Sequence, residues 1–203
     1  MRSNMSHRPP KASEVYQYEG ESDSEIHIVN RDIFFTGDVT PDNCSELVRS
    51  IQAVDRTNQI QALQFDLPAP PSIRLYIHSY GGNLVASFAA YDVIRQLKSP
   101  VVTIGHGEVG SAATFLFLAG DERLMTEHCF LLLHQLNWEG GGTASEIKDH
   151  AYNLEMCVEV MEKIYVERSN MNRKQVRAML ANNKYLRSEA AIKHGLAHRK
   201  YGE

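Results

Sequence analysis

Two turns carry the residue types that could do chemistry. In Gly107-Glu108-Val109-Gly110-Ser111-Ala112-Ala113 a serine stands at the head of an apolar stretch that continues to Ala119. In His78-Ser79-Tyr80-Gly81-Gly82-Asn83 paired glycines let another backbone approach closely. Backbone N–H groups exposed at a strand-to-helix turn can hold an anion or a developing oxyanion, so a hydroxyl beside them is a candidate nucleophile. Ser111 is the better placed of the two serines. A serine nucleophile needs a base. His134 closes the most apolar run of the chain, Phe130-Leu131-Leu132-Leu133, where an imidazole must either be hydrogen-bonded internally or face a cleft. Each residue also has a plainer reading: Ser111 as a helix N-cap, His134 as a structural core histidine.

The elements that would position these residues alternate strand and helix. Ile33-Phe34-Phe35, ended by Gly37, reads as a buried strand. Thr40 can cap a helix with Pro41 in its first turn and Cys44, Leu47, Val48, Ile51 and Val54 on one face. From Asp55 to Ser72 the periodicity is weak and prolines accumulate, which predicts an extended loop around a frayed helical turn. Ile73, Leu75 and Ile77 alternate as in a strand, and a helix follows Gly81-Gly82 with Leu84, Phe88, Tyr91, Ile94 and Leu97 on its face. Val101 to Ile104 reads as the next strand, punctuated by Gly105 and Gly107 before the Ser111 turn. After His134, Gly140-Gly141-Gly142 precedes a long helix with Ile147, Ala151, Leu154, Val158, Met161 and Tyr165 in register. Two short helices close the chain, over roughly Arg173 to Ala181 and from a Ser188 cap to Gly195. This alternation predicts an α/β layer fold with a mostly parallel sheet. The Ser-, Pro- and Glu-rich residues 1–25 read as a mobile arm.

Composition narrows the function. With 21 Lys+Arg against 25 Asp+Glu the net charge is -4, and no basic block offers a nucleic-acid footprint. No apolar run reaches the roughly 18 residues of a membrane span. Cys44, Cys129 and Cys157 are widely spaced without a C-x-x-C, and the start of the chain lacks the apolar centre of a signal peptide. Buried thiols in a reducing compartment are expected, rather than a disulfide frame or a zinc site. There is no phosphate-loop motif, no H-E-x-x-H and no G-x-S-x-G elbow, so neither ATP nor a metal is implied for this chain.

In combination and in order, these stretches resemble the ClpP family, the proteolytic subunits of Clp proteases, over about Ile26 to Leu196. Ile73-Arg74-Leu75-Tyr76-Ile77-His78-Ser79-Tyr80-Gly81-Gly82 is similar to the family's Y-I-N-S-P-G-G segment. Gly107 to Ala113 is similar to its G-x-A-A-S-M-G nucleophile turn, and Leu133-His134-Gln135 to its I-H-Q-P. Tyr91-Asp92, Thr143-Ala144-Ser145-Glu146-Ile147 and Ser188-Glu189-Ala190-Ala191 through Gly195-Leu196 fit as well.

The resemblance implies the ClpP/crotonase-like fold of repeated β-β-α units with a protruding handle helix, in a peptidase domain over 26–203. It implies a serine endopeptidase that degrades unfolded polypeptides inside stacked heptameric rings, with Ser111 as nucleophile, His134 as general base, and the Gly82 and Ala112 amides as oxyanion donors. Gly140, Gly141 and Gly142 fall where the family adds substrate as a β-strand, a mode that tolerates many sequences. No cofactor is implied in this chain. ATP would be used by a partner AAA+ unfoldase, host Clp subunits are another possible partner, and the setting would be cytoplasm, plastid stroma or a phage-infected cell.

Departures from the family pattern raise a rival reading. Aligned on Tyr185-Leu186 and Gly195-Leu196, the family's catalytic aspartate falls on Asn183 and its arginine on Asn182. Arg74 and Gln96 replace two aromatics of the unfoldase-docking cleft beside Tyr76, Leu136 replaces a proline, and the 55–72 segment is longer than its equivalent. The rival is a ClpR-like, weak or silent subunit that modifies a Clp ring. A crotonase-fold acyl-CoA enzyme is a third reading, in which Ser111 and His134 have no evident role.

Overall fold

The computed structural model describes residues 26–203, and the arm expected over residues 1–25 lies outside the described residues. The chain begins with an antiparallel hairpin of β1 (Ile26–Val29) and β2 (Asp32–Thr36). A parallel sheet grows from β2 through β3 (Ile73–Ser79) to β4 (Val101–Gly110). Alternation builds it: Ile73, Leu75 and Ile77 are fully buried, while Arg74, Tyr76 and His78 face away from that core.

The sheet then forks. The first half of β4 pairs with β5 (Glu122–Met125), which pairs with the terminal β8 (Arg199–Lys200). Its second half pairs with β6 (Phe130–Leu133), which meets β7 (Lys184–Leu186) antiparallel. Gly105 and Gly107 therefore do not end the strand, as their type suggested. A Cβ at Gly107, φ 65°, would lie 2.7 Å from His78 Nδ1, so the glycine admits a close crossing where β4 changes partners. The short β5, β7 and β8 carry too little pattern to be seen in the sequence.

Helices α1 (Pro41–Gln64), α2 (Leu84–Gln96) and α3 (Ala113–Leu118) connect the strands. The Thr40 side chain caps α1 by accepting from Asn43 N at 3.1 Å, with Pro41 in the first turn, as expected. The loop expected from Asp55 is wrong, because α1 continues ten residues further to Gln64. Two of its three inward positions there are polar, Asp55 and Asn58, with Ala62 the third. Asp55 accepts from Ser99 N at 2.7 Å, and Asn58 Nδ2 donates to Pro71 O at 2.9 Å and to Ser99 Oγ at 3.2 Å. These side chains satisfy the backbone of two crossing loops, which hides the helix from any hydrophobic period.

The long α4 (Ala144–Glu167) starts at a Thr143–Glu146 capping box. Only its last part is anchored, by Met161, Glu162, Ile164 and Tyr165, whereas Ile147, Tyr152, Met156 and Val160 are exposed. It is a handle standing off the body. Helices α5 (Arg173–Leu180) and α6 (Ser188–Lys193) close the chain. The cap position of α6 is Arg187, not Ser188, which lies inside the first turn.

Candidate active site

Three non-glycine residues among those described have positive φ: Asn30, Asp66 and Ser111 at 52°. Asn and Asp tolerate that region, whereas a serine held there costs about 1–3 kcal/mol, and strain of this kind clusters at functional sites. The surrounding structure holds it. Ser111 N–H donates to Leu132 O at 2.9 Å, two residues before His134 on the same chain segment. The Ser111 carbonyl accepts from Thr114 N at 3.0 Å and from Thr114 Oγ1 at 2.6 Å. Helix α3 begins after Ala112 and has no side-chain cap, so the N-cap reading of Ser111 does not apply.

The second turn presses on the first. A Cβ at Gly81 would stand 2.5 Å from Ser111 Cβ and 2.8 Å from Gly110 O, so this approach requires glycine. Ser79 Oγ accepts from Gly81 N at 3.1 Å and fixes the bend. Val39 bridges the same turn, donating to Gly81 O at 2.8 Å and accepting from Asn83 N at 2.6 Å. Among the described residues, no backbone acceptor takes the N–H of Gly82 or of Ala112. Both residues line a cavity of about 190 Å³ together with Ser111 and His134. Four residues singled out from the sequence thus meet in one small space. Phe115, Leu136 and Met161 add apolar lining, and Gln135, Asn137 and Tyr165 add polar groups.

His134 is half-buried, and burial holds its imidazole below the ordinary 6.5, a hydrogen bond involving the Gln135 backbone pulling the other way. Burial thus favours the neutral imidazole, the form able to accept a proton. Asn183 does not line the cavity and is exposed. The β6–β7 ladder runs Leu131↔Leu186, Leu132↔Tyr185, Leu133↔Lys184. One further step sets Asn183 opposite His134, although no hydrogen bond joins the two among the described residues. Gly140, Gly141 and Gly142 are exposed in the irregular segment before α4 and do not line the cavity.

The thiols take no part in this site. Burial pushes Cys44 up to about 11 and Cys129 up to about 12, so both stay protonated. Among the described residues no group of three or more His, Cys, Asp or Glu could hold a metal ion, and no helix is long and apolar enough to cross a membrane. Two residues at the site escaped the sequence reading: Thr114, which holds the Ser111 carbonyl, and Tyr165, whose hydroxyl meets Thr114 Oγ1 at 2.6 Å. Their one signal was a single hydroxyl in the apolar run Ala112 to Leu118.

A family model for Clp protease matches residues 22–199. The chain belongs to the Clp protease family. It is 30% identical over 168 residues to the ATP-dependent Clp protease proteolytic subunit 2 of Treponema denticola, covering 82% of this chain and 79% of that one. The ATP-dependent Clp protease proteolytic subunit of Mesostigma viride is 29% identical over 126 residues, 61% of this chain and 55% of that one. Among solved structures, an asparagine-to-aspartate mutant of ClpP1 from Listeria monocytogenes superposes with a TM-score of 0.72 at 18% identity, over 86% of this chain and 92% of that one. The mixed α/β architecture of this Clp protease-family chain is therefore the ClpP fold. The family match also removes the ground for the acyl-CoA reading. Family members form ring oligomers, and the ClpP homologues are serine proteases.

Proposed function

We propose that this chain is a serine endopeptidase subunit of a Clp-type chambered protease, cutting unfolded polypeptides into short peptides. The observation that carries the reading is the convergence of Ser111, His134, Gly82 and Ala112 on one cavity. Ser111 Oγ attacks the scissile carbonyl as His134 takes its proton. The oxygen that becomes negative is held by the Gly82 and Ala112 amides, and such a donor is worth roughly 10² to 10³ in turnover. Collapse breaks the C–N bond, His134 returns the proton to the leaving amine, and the acyl group stays on Ser111. Water, deprotonated by the same imidazole, then releases the second peptide and restores the serine. Extended substrate would run along Gly140 to Gly142 by main-chain hydrogen bonds.

Asn183 sets the expected level of activity. A carboxamide can orient an imidazole but cannot stabilise the imidazolium, a loss of about 10⁴ when the triad aspartate of a serine protease becomes asparagine. The second reading, a weak subunit that modifies a Clp ring, is favoured by this residue and by Arg74. Arg74 is tied to Asp32 by two hydrogen bonds on the sheet face where Tyr76 stacks on Phe34, which makes that cleft less apolar for an AAA+ unfoldase that would consume the ATP. The exposed Ile147, Tyr152, Met156 and Val160 suit α4 to join stacked heptameric rings, each side chain gaining about 1.5–3 kcal/mol on full burial. The setting would be a reducing one, cytoplasm, plastid stroma or a phage-infected cell. Hydrolysis of a fluorogenic peptide by the purified oligomer, lost in Ser111→Ala, tests the reading. Equal rates for both proteins would leave only the scaffold role, and a monomer mass at micromolar concentration would remove the rings.

A further inference from the structure

From the cavity wall at Tyr165 a chain of polar groups, which the chemistry above does not use, runs inward through Thr114. Thr114 Oγ1 is 2.6 Å from the Ser111 carbonyl oxygen and 2.6 Å from the Tyr165 hydroxyl. A threonine hydroxyl has one proton, and a carbonyl can only accept. Thr114 therefore donates to Ser111, and Tyr165 donates to Thr114. The direction is set from Tyr165 through Thr114 to the Ser111 carbonyl. Both side chains are enclosed, Thr114 at 0% and Tyr165 at 1% exposure. The Tyr165 ring lies against Phe115 with centroids 5.1 Å apart. Burial drives its phenol well above the ordinary ionisation range, so it remains a donor.

Folding alone gives little reason for this arrangement. The Ser111 carbonyl already accepts from Thr114 N at 3.0 Å, and the net return of a further buried hydrogen bond is modest once two hydroxyls have been desolvated. Its geometric effect is larger. The peptide between Ser111 and Ala112 is planar, so its C=O and its N–H point in opposite directions. Two donors on the oxygen fix the plane, and with it the direction of the Ala112 N–H. Hydrogen bonds in series also polarise one another, which strengthens that N–H as a donor.

We propose that Thr114 and Tyr165 are positioning residues for the oxyanion site: two hydrogen bonds in series hold and polarise the Ser111–Ala112 peptide, whose N–H receives the negative charge of the tetrahedral intermediate. The proposal rests on the peptidase reading of Ser111. It also ties that peptide to the anchored end of α4, where Tyr165 resides.

The sequence provides a direct probe, because Ser111-Ala112 is its one Ser-Ala step. Protein with ¹³C at serine carbonyls and ¹⁵N at alanine amides gives a single correlated signal from this peptide, readable by solid-state NMR in an assembly of any size. That signal is followed in wild type, Thr114→Val, Thr114→Ser and Tyr165→Phe, beside kcat and KM for a fluorogenic peptide, acylation by a fluorophosphonate, and thermal stability. Thr114→Val is expected to move the carbonyl signal upfield and to lower kcat about tenfold, less than the 10² to 10³ for deleting a whole donor. KM should stay within about twofold, since the interaction grows only in the transition state. Tyr165→Phe should shift both in the same direction by less, and Thr114→Ser should restore both. An unchanged kcat despite a moved signal overturns the proposal. So does a kcat that follows thermal stability in every variant, Thr114→Ser included, because that is the mark of a packing role. If wild-type Ser111 is not acylated while the signal still responds to Thr114→Val, the peptidase reading fails and the proposal falls with it, although the hydrogen-bond chain stands.

Discussion

Ser111 follows β4 and Asn183 precedes β7, the two strands that pair with β6 just before His134, and the fold treats them differently. Ser111 is gripped through its N–H by Leu132 and through its carbonyl by Thr114, with Gly81 wedged against it. Asn183 is exposed beside a turn held by Lys184 N donating to Asn182 O at 2.8 Å and by Asn182 Nδ2 donating to Ala178 O at 2.7 Å. The β7 strand beside it has three residues, two of them exposed. Its approach is secured one helix back, where the buried Glu162 of α4 pairs with Arg173 and Arg177 of α5. The proposed nucleophile and oxyanion half of the site depends on geometry, which buried backbone supplies. The proposed third triad position stands at the surface, where a change of side chain leaves the core undisturbed.

That contrast can be broken or sharpened by substitution. The largest effect is expected from Ser111→Ala, which should bring peptide hydrolysis down to the residual level that the oxyanion site and substrate binding sustain without a nucleophile, with oligomer mass unchanged, as a rate assay and native mass spectrometry would show. Next comes Asn183→Asp, with a rise of at least about tenfold in single-turnover acylation, short of the full 10⁴ because no surrounding groups are arranged for the charge. A rate that does not rise, in intact oligomers, would mean that Asn183 does not act on His134. Gly81→Ala should cost about 1–3 kcal/mol in unfolding free energy for its positive φ alone and more for the clash with Ser111. The same change at Gly141, where an added Cβ meets nothing within 4 Å, should leave denaturation unchanged.

The smallest effect expected is on pH dependence. Burial lowers the His134 imidazole, so the acid limb of kcat/KM should lie below 6.5. A carboxylate at position 183 favours the imidazolium and should move that limb upward in Asn183→Asp. No movement in the variant would show that the two residues do not meet, and a wild-type limb at or above 6.5 would contradict the effect of burial on His134. The stability sign is separate: a histidine held low in the fold binds fewer protons than in the unfolded chain, so its contribution is lost as pH falls below 6.5.

What could be read from the sequence follows the same divide. The Ser111 turn, the end of β6 at His134 and the glycine pair were legible because each combines a residue type with a chain direction that little else explains. The second half of α1 was not, since Asp55 and Asn58 face inward to serve crossing loops and break the apolar period. The continuation of β4 was hidden for the opposite reason, glycines used for close crossing resembling a strand end. The place of Asn183 came from the Tyr185-Leu186 anchor of the family pattern; the β6–β7 ladder ends one pair earlier, at Leu133↔Lys184. Thr114 and Tyr165 could not be paired in sequence, being 51 residues apart.

The central claim is that Ser111 is an activated nucleophile. Intact-mass analysis of the assembled protein after treatment with a fluorophosphonate, followed by peptide mapping, tests it most directly. One adduct per subunit is expected, on Ser111, absent from Ser111→Ala and formed faster in Asn183→Asp. No adduct on the intact assembly, or an adduct that persists in Ser111→Ala, would contradict it.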